Sequence, residues 1–175
     1  MYLKRYNLKN KYALVSGAGK GLGKACAIAL AEAGANLIIL SRTSKDLLNV
    51  SKIIKKFRVK CVSYNCDVTN YNQIKSVIEQ IPKIDILINN AGITKDSLFL
   101  RMKDDEWNDV ININLNSNYK LTKIVIKDMI KSKWGRIVNI SSDAAKIGNP
   151  GQSNYVASKA AIEGLTRTIA NEVAS

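Results

Sequence analysis

Short apolar runs alternate with longer amphipathic segments along almost the whole chain. Five runs are typical of β-strands: Tyr12–Ser16, Asn36–Leu40, Val59–Tyr64, Ile84–Ile88 and Arg136–Ile140. The longer segments have helical spacing: Cys26–Ala33, Lys45–Phe57, Tyr71–Gln80, Asp104–Lys133 and Ser153–Val173. For the long segment Asp104–Lys133, a start as two separate pieces stays open. This alternation predicts βαβ units and a parallel sheet, and the continuously apolar strands indicate helices on both faces. We therefore predict an α/β fold with a doubly wound sheet that binds ligands at the carboxyl ends of its strands.

Length and charge narrow the possible partners. With 175 residues, of which 46% are hydrophobic, we expect one domain spanning residues 1–175. Lys and Arg number 27 against 14 Asp and Glu, which gives a net charge of +13. The cations are scattered and only 6% of residues are aromatic, so we expect no nucleic-acid partner. A solvated surface explains the charge, and an acidic partner or anionic ligand is the alternative.

Histidine is absent and cysteine is sparse. Without histidine the chain cannot build a His-based triad, general base or metal site, and we expect no metal. The three cysteines form no Cys-x-x-Cys motif, which indicates reduced thiols and a cytoplasmic protein. Residues 1–6 contain no apolar signal segment, and no run approaches the roughly 20 apolar residues of a membrane helix. We therefore expect no membrane partner.

A glycine-rich loop follows the first predicted strand. Residues 16–23 read Ser-Gly-Ala-Gly-Lys-Gly-Leu-Gly and lead into a helix. Gly17 permits a tight turn, Gly21 lets the backbone approach a phosphate, and Gly23 allows the helix to pack closely on the sheet. A glycine loop between a strand and a helix is the context that dinucleotide binding requires.

The end of the second predicted strand indicates which dinucleotide binds. The strand is followed by Ser41, Arg42 and Thr43, with no Asp or Glu to hold the ribose 2′-hydroxyl of NAD. Arg42, and Lys20 of the glycine loop, are two cations suited to a 2′-phosphate. We therefore predict NADPH as the cofactor, the alternative being that Arg42 is an ordinary surface residue.

Asp67 and Val68 follow the third predicted strand, where a loop would pass the adenine. The Asp67 carboxylate could accept hydrogen bonds from the adenine amino group. Asp67, Thr69 and Asn70 are also good N-cap residues for the next helix. Both roles of Asp67 therefore stay open.

Tyr155 and Lys159 lie one turn apart, so their side chains share one face of the last predicted helix. A phenol has an ordinary pKa of about 10. A fixed ammonium beside a phenol lowers that pKa because it favours the phenolate. Such a phenol can exchange a proton with a carbonyl or an alcohol, and the Ser142 hydroxyl could hydrogen-bond the same oxygen. The alternative is two ordinary residues on an amphipathic helix, since this pattern is common by chance.

The order of these motifs resembles the short-chain dehydrogenase/reductase family from Lys11 to the end of the chain. The features that carry the resemblance are the glycine loop, Asn89-Asn90-Ala91-Gly92, Asn114, Ser142 and Tyr155-x-x-x-Lys159. It implies a Rossmann-type fold in which residues 89–92 brace the sheet and border the cofactor. It also implies that Asn114 holds a water molecule in a proton relay.

The resemblance and the motifs together assign three sets of site residues. The catalytic residues are Asn114, Ser142, Tyr155 and Lys159. The cofactor-binding residues are Gly17, Gly19, Lys20, Gly21, Leu22, Gly23, Arg42, Asp67, Val68, Asn89, Ala91, Gly92, Tyr155 and Lys159. The substrate-binding residues are Ser142, Gln152 and Tyr155.

Residues 92–103, 134–142 and 148–155 look most like the β-ketoacyl-acyl carrier protein reductases. This likeness implies NADPH-dependent reduction of a 3-oxoacyl thioester by a homotetramer or homodimer. It also implies an acidic acyl carrier protein that docks on basic residues such as Lys133. Residues 41–46 are similar to sugar- and polyol-oxidising relatives, so the alternative is an NAD(P)-dependent dehydrogenase of a secondary alcohol. Asp143 stands where the ketoacyl reductases more usually have an apolar residue.

Members of the family continue beyond the helix that bears Tyr155 and Lys159, with two more strands and a lid over the substrate. Because the sequence ends at Ser175, we expect a piece of a longer protein whose sheet lacks the last two strands. Such a piece could bind NADPH without catalysis, which is a further alternative for the isolated chain.

Overall fold

The computed structural model describes residues 6–174. Residues 1–5, which belong to the segment without an apolar signal pattern, and Ser175 lie outside the described residues. The chain divides into two compact units. The first unit holds the chain up to Ala91 together with Leu121–Val138, and the second unit holds Gly92–Lys120 and the chain from Asn139 onward. Within residues 6–174, no helix combines the length and the apolar character needed to cross a membrane.

A five-stranded sheet confirms the predicted α/β class. Its strands are β1 (Tyr12–Ser16), β2 (Asn36–Ser41), β3 (Cys61–Asn65), β4 (Ile86–Asn89) and β5 (Arg136–Asn139). Their order across the sheet is β3-β2-β1-β4-β5, and β1 pairs in parallel with both β2 and β4. The strand order therefore reverses between β1 and β4, which is the point where open α/β sheets bind their ligands.

The seven α-helices found within residues 6–174 include every predicted helical region. They are α1 (Gly21–Glu32), α2 (Ser44–Lys55), α3 (Tyr71–Glu79), α4 (Asp104–Ile111), α5 (Ser117–Lys131), α6 (Ala144–Ile147) and α7 (Ser153–Val173). The first helix begins at Gly21, five residues before the predicted start at Cys26. The prediction missed these residues because glycine is a poor helix former, so Gly21 and Gly23 give no helical signal. The short helix α6 and a 3-10 turn at Phe99–Arg101 were not predicted.

The predicted helical region Asp104–Lys133 consists of two α-helices, which agrees with the possibility that it starts as two pieces. A π-helical segment, Asn112–Asn116, separates α4 from α5. A π-helical turn has a wider ring of backbone hydrogen bonds than an α-helix and carries an extra residue. Apolar spacing alone does not reveal such a segment, because the residues on either side keep helical periodicity.

Helices cover both faces of the sheet in the first unit. Leu14, Ile38 and Leu87 point to one face and belong to a hydrophobic cluster with side chains of α3 and α5. Alternate strand residues such as Ala13 and Ile39 are also fully buried and point to the opposite face. Each large aliphatic side chain buried in this way contributes about 1.5–3 kcal/mol to folding. This packing fixes the strand ends from which the functional loops emerge.

Candidate active site

The glycine loop in the first unit is shaped by close backbone contacts. Gly17 has φ +64°, and a Cβ atom there would lie 2.9 Å from the Cα atom of Ala91. A Cβ atom on Gly23 would clash with the side-chain nitrogen of Asn90 and the carbonyl oxygen of Gly17. Only glycine fits either position without displacing the backbone.

The open side of this loop fits a dinucleotide. Gly21 has φ +54°, and a Cβ atom there would meet nothing within 4 Å. It begins α1, whose first backbone N–H groups have no partner within the helix. Among the described residues, no side chain caps this end, and its first turn contains no acidic residue. Exposed glycine backbone at an uncapped helix N-terminus suits a pyrophosphate, because N–H groups and the helix dipole both favour an anion.

Asn90 and Ser16 brace the glycine loop. Asn90 was predicted only as part of the segment 89–92, and Ser16 was not predicted as a site residue. The side-chain nitrogen of Asn90 donates hydrogen bonds of 3.1 Å to the carbonyl oxygens of both Ser16 and Gly17. The Ser16 hydroxyl oxygen accepts from the backbone N–H groups of Asn90 and Ala91 at 3.0 and 3.1 Å. The Asn-Asn-Ala-Gly motif pointed to this segment, but the pattern could not show which asparagine holds the loop.

Arg42 is exposed at the carboxyl end of β2. Its carbonyl oxygen accepts a 2.9 Å hydrogen bond from the side chain of Asn65, which donates equally to the Ser44 hydroxyl. A Cβ atom on Gly19 would lie 3.0 Å from the Ser41 hydroxyl oxygen, so the glycine loop runs against the end of β2. The loop that carries Lys20 and the strand end that carries Arg42 are therefore neighbours within the first unit.

Asp67 forms a tight turn rather than a helix cap. Its Oδ1 atom accepts from the backbone N–H and the hydroxyl of Thr69, at 2.9 and 2.8 Å. Partial burial raises its pKa, but these two hydrogen bonds and the nearby charge of Arg42 together hold the pKa below its ordinary value. The N-cap of α3 is instead Asn70, whose side chain accepts from the N–H of Gln73. Val68 is only 7% exposed and belongs to the hydrophobic cluster.

Tyr155 and Lys159 lie on α7 in the second unit. The Lys159 ammonium nitrogen is 5.7 Å from the centre of the Tyr155 ring and donates a 2.6 Å hydrogen bond to the carbonyl oxygen of Ile140. Only 4% of Lys159 is exposed. Burial lowers the pKa of this lysine. The ammonium is thus held in one place beside the phenol.

Asn114 occupies the middle of the π-helical segment and is almost completely buried. Its side-chain oxygen accepts from the N–H of Ile93 at 2.9 Å, and its side-chain nitrogen donates to the Ile93 carbonyl and to the Ser158 hydroxyl at 3.1 Å each. A Cβ atom on Gly92 would lie 3.2 Å from the Asn114 side-chain oxygen and 3.7 Å from the Lys159 nitrogen. The fold thus brings Gly92, Asn114 and Lys159 together.

Ser142 follows β5, and its hydroxyl bonds within its own loop. The hydroxyl donates to Asp143 Oδ1 at 3.2 Å and accepts from the N–H of Ala144 at 3.3 Å. The preceding Ser141 hydroxyl lies 2.9 Å from the carboxylate of Glu163 and 3.3 Å from the carbonyl oxygen of Lys159. Ser141 thus ties the loop that carries Ser142 to the helix that carries Tyr155.

Gln152 and Asn154 connect the beginning of α7 to Asp96 and Lys95. The Gln152 side chain donates to an Asp96 carboxylate oxygen at 3.0 Å. Asn154 is fully buried, donates to the Lys95 carbonyl at 3.0 Å and accepts from the N–H of Tyr155 at 2.7 Å. The sequence offered no signal for Asn154 beyond its position next to Tyr155. Among residues 6–174, no cluster of His, Cys, Asp or Glu could hold a metal ion.

Comparisons with known proteins identify the family of the chain. The 3-oxoacyl-[acyl-carrier-protein] reductase FabG of Pseudomonas aeruginosa is 43% identical, over 97% of this chain and 70% of its own. The reductase of Thermotoga maritima is 42% identical, over 95% of this chain and 70% of its own. A solved structure from Sinorhizobium meliloti, provisionally described as a short-chain alcohol dehydrogenase, has a TM-score of 0.91 and 31% identity, covering 96% of this chain and 68% of its own. The short chain dehydrogenase family model matches residues 11–175. The chain therefore belongs to the short-chain dehydrogenase family of oxidoreductases.

Proposed function

We propose that this protein reduces the ketone of a 3-oxoacyl thioester, carried by an acyl carrier protein, with NADPH. The observation that carries the chemistry is the buried ammonium of Lys159 held 5.7 Å from the Tyr155 ring. The substrate class rests on the relatives, since reductases from Pseudomonas, Vibrio and Thermotoga are all 42–43% identical to this chain. We further propose that the whole chain acts as one cofactor-binding domain.

In the proposed reaction, Tyr155 gives its hydroxyl proton to the ketone oxygen while Ser142 donates a hydrogen bond to the same oxygen. These donors stabilise the negative charge that develops on the oxygen. When bound, NADPH supplies the hydride that reduces the carbonyl carbon. In the structure the single O–H of Ser142 donates to the exposed Asp143 carboxylate, so the hydroxyl would turn from Asp143 to the ketone oxygen when the substrate binds.

Lys159 has more donors than its observed bond uses. An ammonium carries three N–H groups, and one of them is spent on the carbonyl oxygen of Ile140. The remaining two suit the Tyr155 oxygen and the nicotinamide ribose. Asn114, which lies with Lys159 around Gly92, completes the proposed route by which a water molecule returns the proton.

The residues proposed to hold the pyrophosphate and the 2′-phosphate of the cofactor lie in the first unit. The backbone of residues 17–23 would hold the pyrophosphate at the N-terminus of α1. Lys20 and Arg42 would hold the 2′-phosphate, since both are exposed and neither strand nor loop supplies an acidic group for a free 2′-hydroxyl at the end of β2. Equal or tighter binding of NADH than of NADPH in a fluorescence titration would overturn this cofactor assignment.

An acidic carrier protein matches the charge of the chain. The net charge is +13, and Lys133 is exposed in the turn that follows α5. Opposite charges accelerate association between such partners. We also propose a homodimer or homotetramer, on the resemblance to the ketoacyl reductases.

A dehydrogenase of a sugar, polyol or other secondary alcohol is the second candidate. It is favoured by the likeness to the Sinorhizobium protein, which is described as an alcohol dehydrogenase. Steady-state rates separate the two candidates: NADPH oxidation with an acetoacetyl thioester, against NADP⁺ or NAD⁺ reduction with a panel of polyols. Faster turnover of any polyol than of the thioester would overturn the reductase assignment.

A further inference from the structure

A carboxylate lies directly beside the hydroxyl that is proposed to hold the substrate. Asp143 Oδ1 accepts from the Ser142 hydroxyl at 3.2 Å and from the N–H of Ala144 at 2.9 Å. The second bond makes Asp143 the N-cap of α6, which fixes the position of its carboxylate. The carboxylate group of Asp143 therefore lies next to Ser142.

We propose that Asp143 is a specificity-determining residue that disfavours substrates with a negative charge close to the ketone. The enzyme would then reduce neutral esters and thioesters of 3-oxo acids in preference to the free acids. This inference rests on the proposed function, because it requires Ser142 to bind the ketone oxygen.

The geometry brings the two charges close together. A hydroxyl donates to a ketone oxygen at about 2.7–2.8 Å, so that oxygen would lie within roughly 6 Å of the Asp143 carboxylate. In a free 3-oxo acid, one methylene separates the ketone carbon from the carboxylate carbon, so the substrate carboxylate would lie at most roughly 9 Å from that of Asp143. This separation is shorter than the Debye length of about 10 Å at 0.1 M salt, so solvent ions screen the repulsion only in part.

The expected discrimination is modest but measurable. Two unit charges at this separation, in the partly solvated environment of an exposed carboxylate, repel by an amount that corresponds to roughly a three- to tenfold change in a rate constant. A thioester or ester carries no charge at this position and escapes the repulsion. Only the ratio between the two substrates, not either rate alone, isolates the effect.

Cations near the site pull in the opposite direction and must be controlled. Lys159 is a buried ammonium on α7, and the exposed Lys146 follows Asp143 on α6. Both attract an anionic substrate, as does the net charge of +13. These attractions act equally in the wild type and in an Asp143 variant, so they cancel when the two proteins are compared.

The test compares kcat/KM for methyl acetoacetate and for acetoacetate, with NADPH and the full chain. Asp143→Asn removes the charge but keeps an oxygen that can accept from the N–H of Ala144. Glu172→Gln is the matched control, because it removes the same charge from an exposed position on α7, about 20 Å along the helix from Lys159. Each protein is measured at low salt and at high salt.

We expect Asp143→Asn to lower the preference for the methyl ester roughly three- to tenfold, and Glu172→Gln to leave it unchanged. High salt should reduce the difference in this preference between the wild type and Asp143→Asn, because it screens the Asp143 charge. Turnover of both ketones with the same ratio in all three proteins would overturn the inference and leave the proposed function intact. Failure of the wild type to reduce either ketone would overturn both proposals.

Discussion

Lys159 donates a 2.6 Å hydrogen bond to the carbonyl oxygen of Ile140, the residue just before the Ser141-Ser142 pair. One ammonium thus joins α7 to the loop that carries Ser142. The same ammonium is buried, which lowers its pKa. Removing this charge from water also lowers the free energy of unfolding.

That cost has a defined pH dependence. The pKa of Lys159 is lower in the folded chain than its ordinary value of 10.5. At a pH between the folded-state pKa and 10.5, the unfolded chain therefore binds more protons than the folded chain. We therefore predict that the free energy of unfolding of the wild type, relative to that of Lys159→Met, rises as pH increases towards 10.5. Denaturant unfolding across this alkaline range measures it. Lys159→Arg keeps its charge throughout and should lack the rise, and equal slopes in all three proteins would contradict the prediction.

Replacing Tyr155 by Phe should abolish turnover. The substitution removes the proposed proton donor and little else, so we expect a loss of at least about 10²-fold in kcat with little change in NADPH affinity. Initial rates and a fluorescence titration of the cofactor measure the two quantities. Tyr71→Phe is the control, since Tyr71 is 48% exposed at the start of α3 and has no proposed role. A Tyr155→Phe protein with wild-type turnover would remove this residue from the mechanism.

Arg42→Ala should weaken the binding of NADPH but not of NADH. The loss of a charged hydrogen-bond donor to a phosphate costs about 1.5–3 kcal/mol, which corresponds to at least tenfold in the dissociation constant. Arg58→Ala removes the same charge from an exposed residue after α2 and should change neither affinity. If both variants weaken NADPH binding equally, long-range charge explains the preference and a local 2′-phosphate contact does not.

Gly23→Ala should weaken NADPH binding more strongly than Gly34→Ala does, even where the two variants lose similar thermal stability. The added methyl group clashes with Asn90 and with the carbonyl of Gly17, so the glycine loop must move at a cost of about 1–3 kcal/mol. Gly34→Ala is the comparison, because Gly34 has φ +97° beyond the other end of α1 and its substitution strains the backbone away from the loop. Thermal unfolding and NADPH titration of both variants check this, and equal loss of NADPH affinity in the two would contradict it.

Local patterns were sufficient for the sheet and the main helices. Residues 36–40 form a strand that is buried on both faces, so a continuous run of apolar residues is enough to predict it. The glycine loop was equally visible, because its shape depends on residues adjacent in sequence. The proposed roles of the site residues stay predictions. The side chain of Val68 is buried and packs in the hydrophobic cluster.

What the sequence did not reveal depends on contacts between distant segments. Asn90 holds the backbone of Ser16 and Gly17, and Asn154 holds the carbonyl of Lys95. Any side-chain amide could donate such bonds. Every residue has a backbone carbonyl, so the sequence does not show which carbonyl accepts them. These anchoring asparagines are therefore recognisable only once the chain is folded.

The π-helical segment between α4 and α5 makes this region intolerant of changes in length. Each residue of an α-helix turns the chain by about 100°. Deleting Ile113 would move Asn114 to the position that Ile113 now has relative to α4, and so turn its side chain away from both Ile93 and Ser158, to which it now bonds. The deletion of Ile113 removes no proposed site residue, but it would misplace the side chain of Asn114. We expect substitutions at Ile113 to be tolerated far better than its loss, so the number of residues here is itself part of the site.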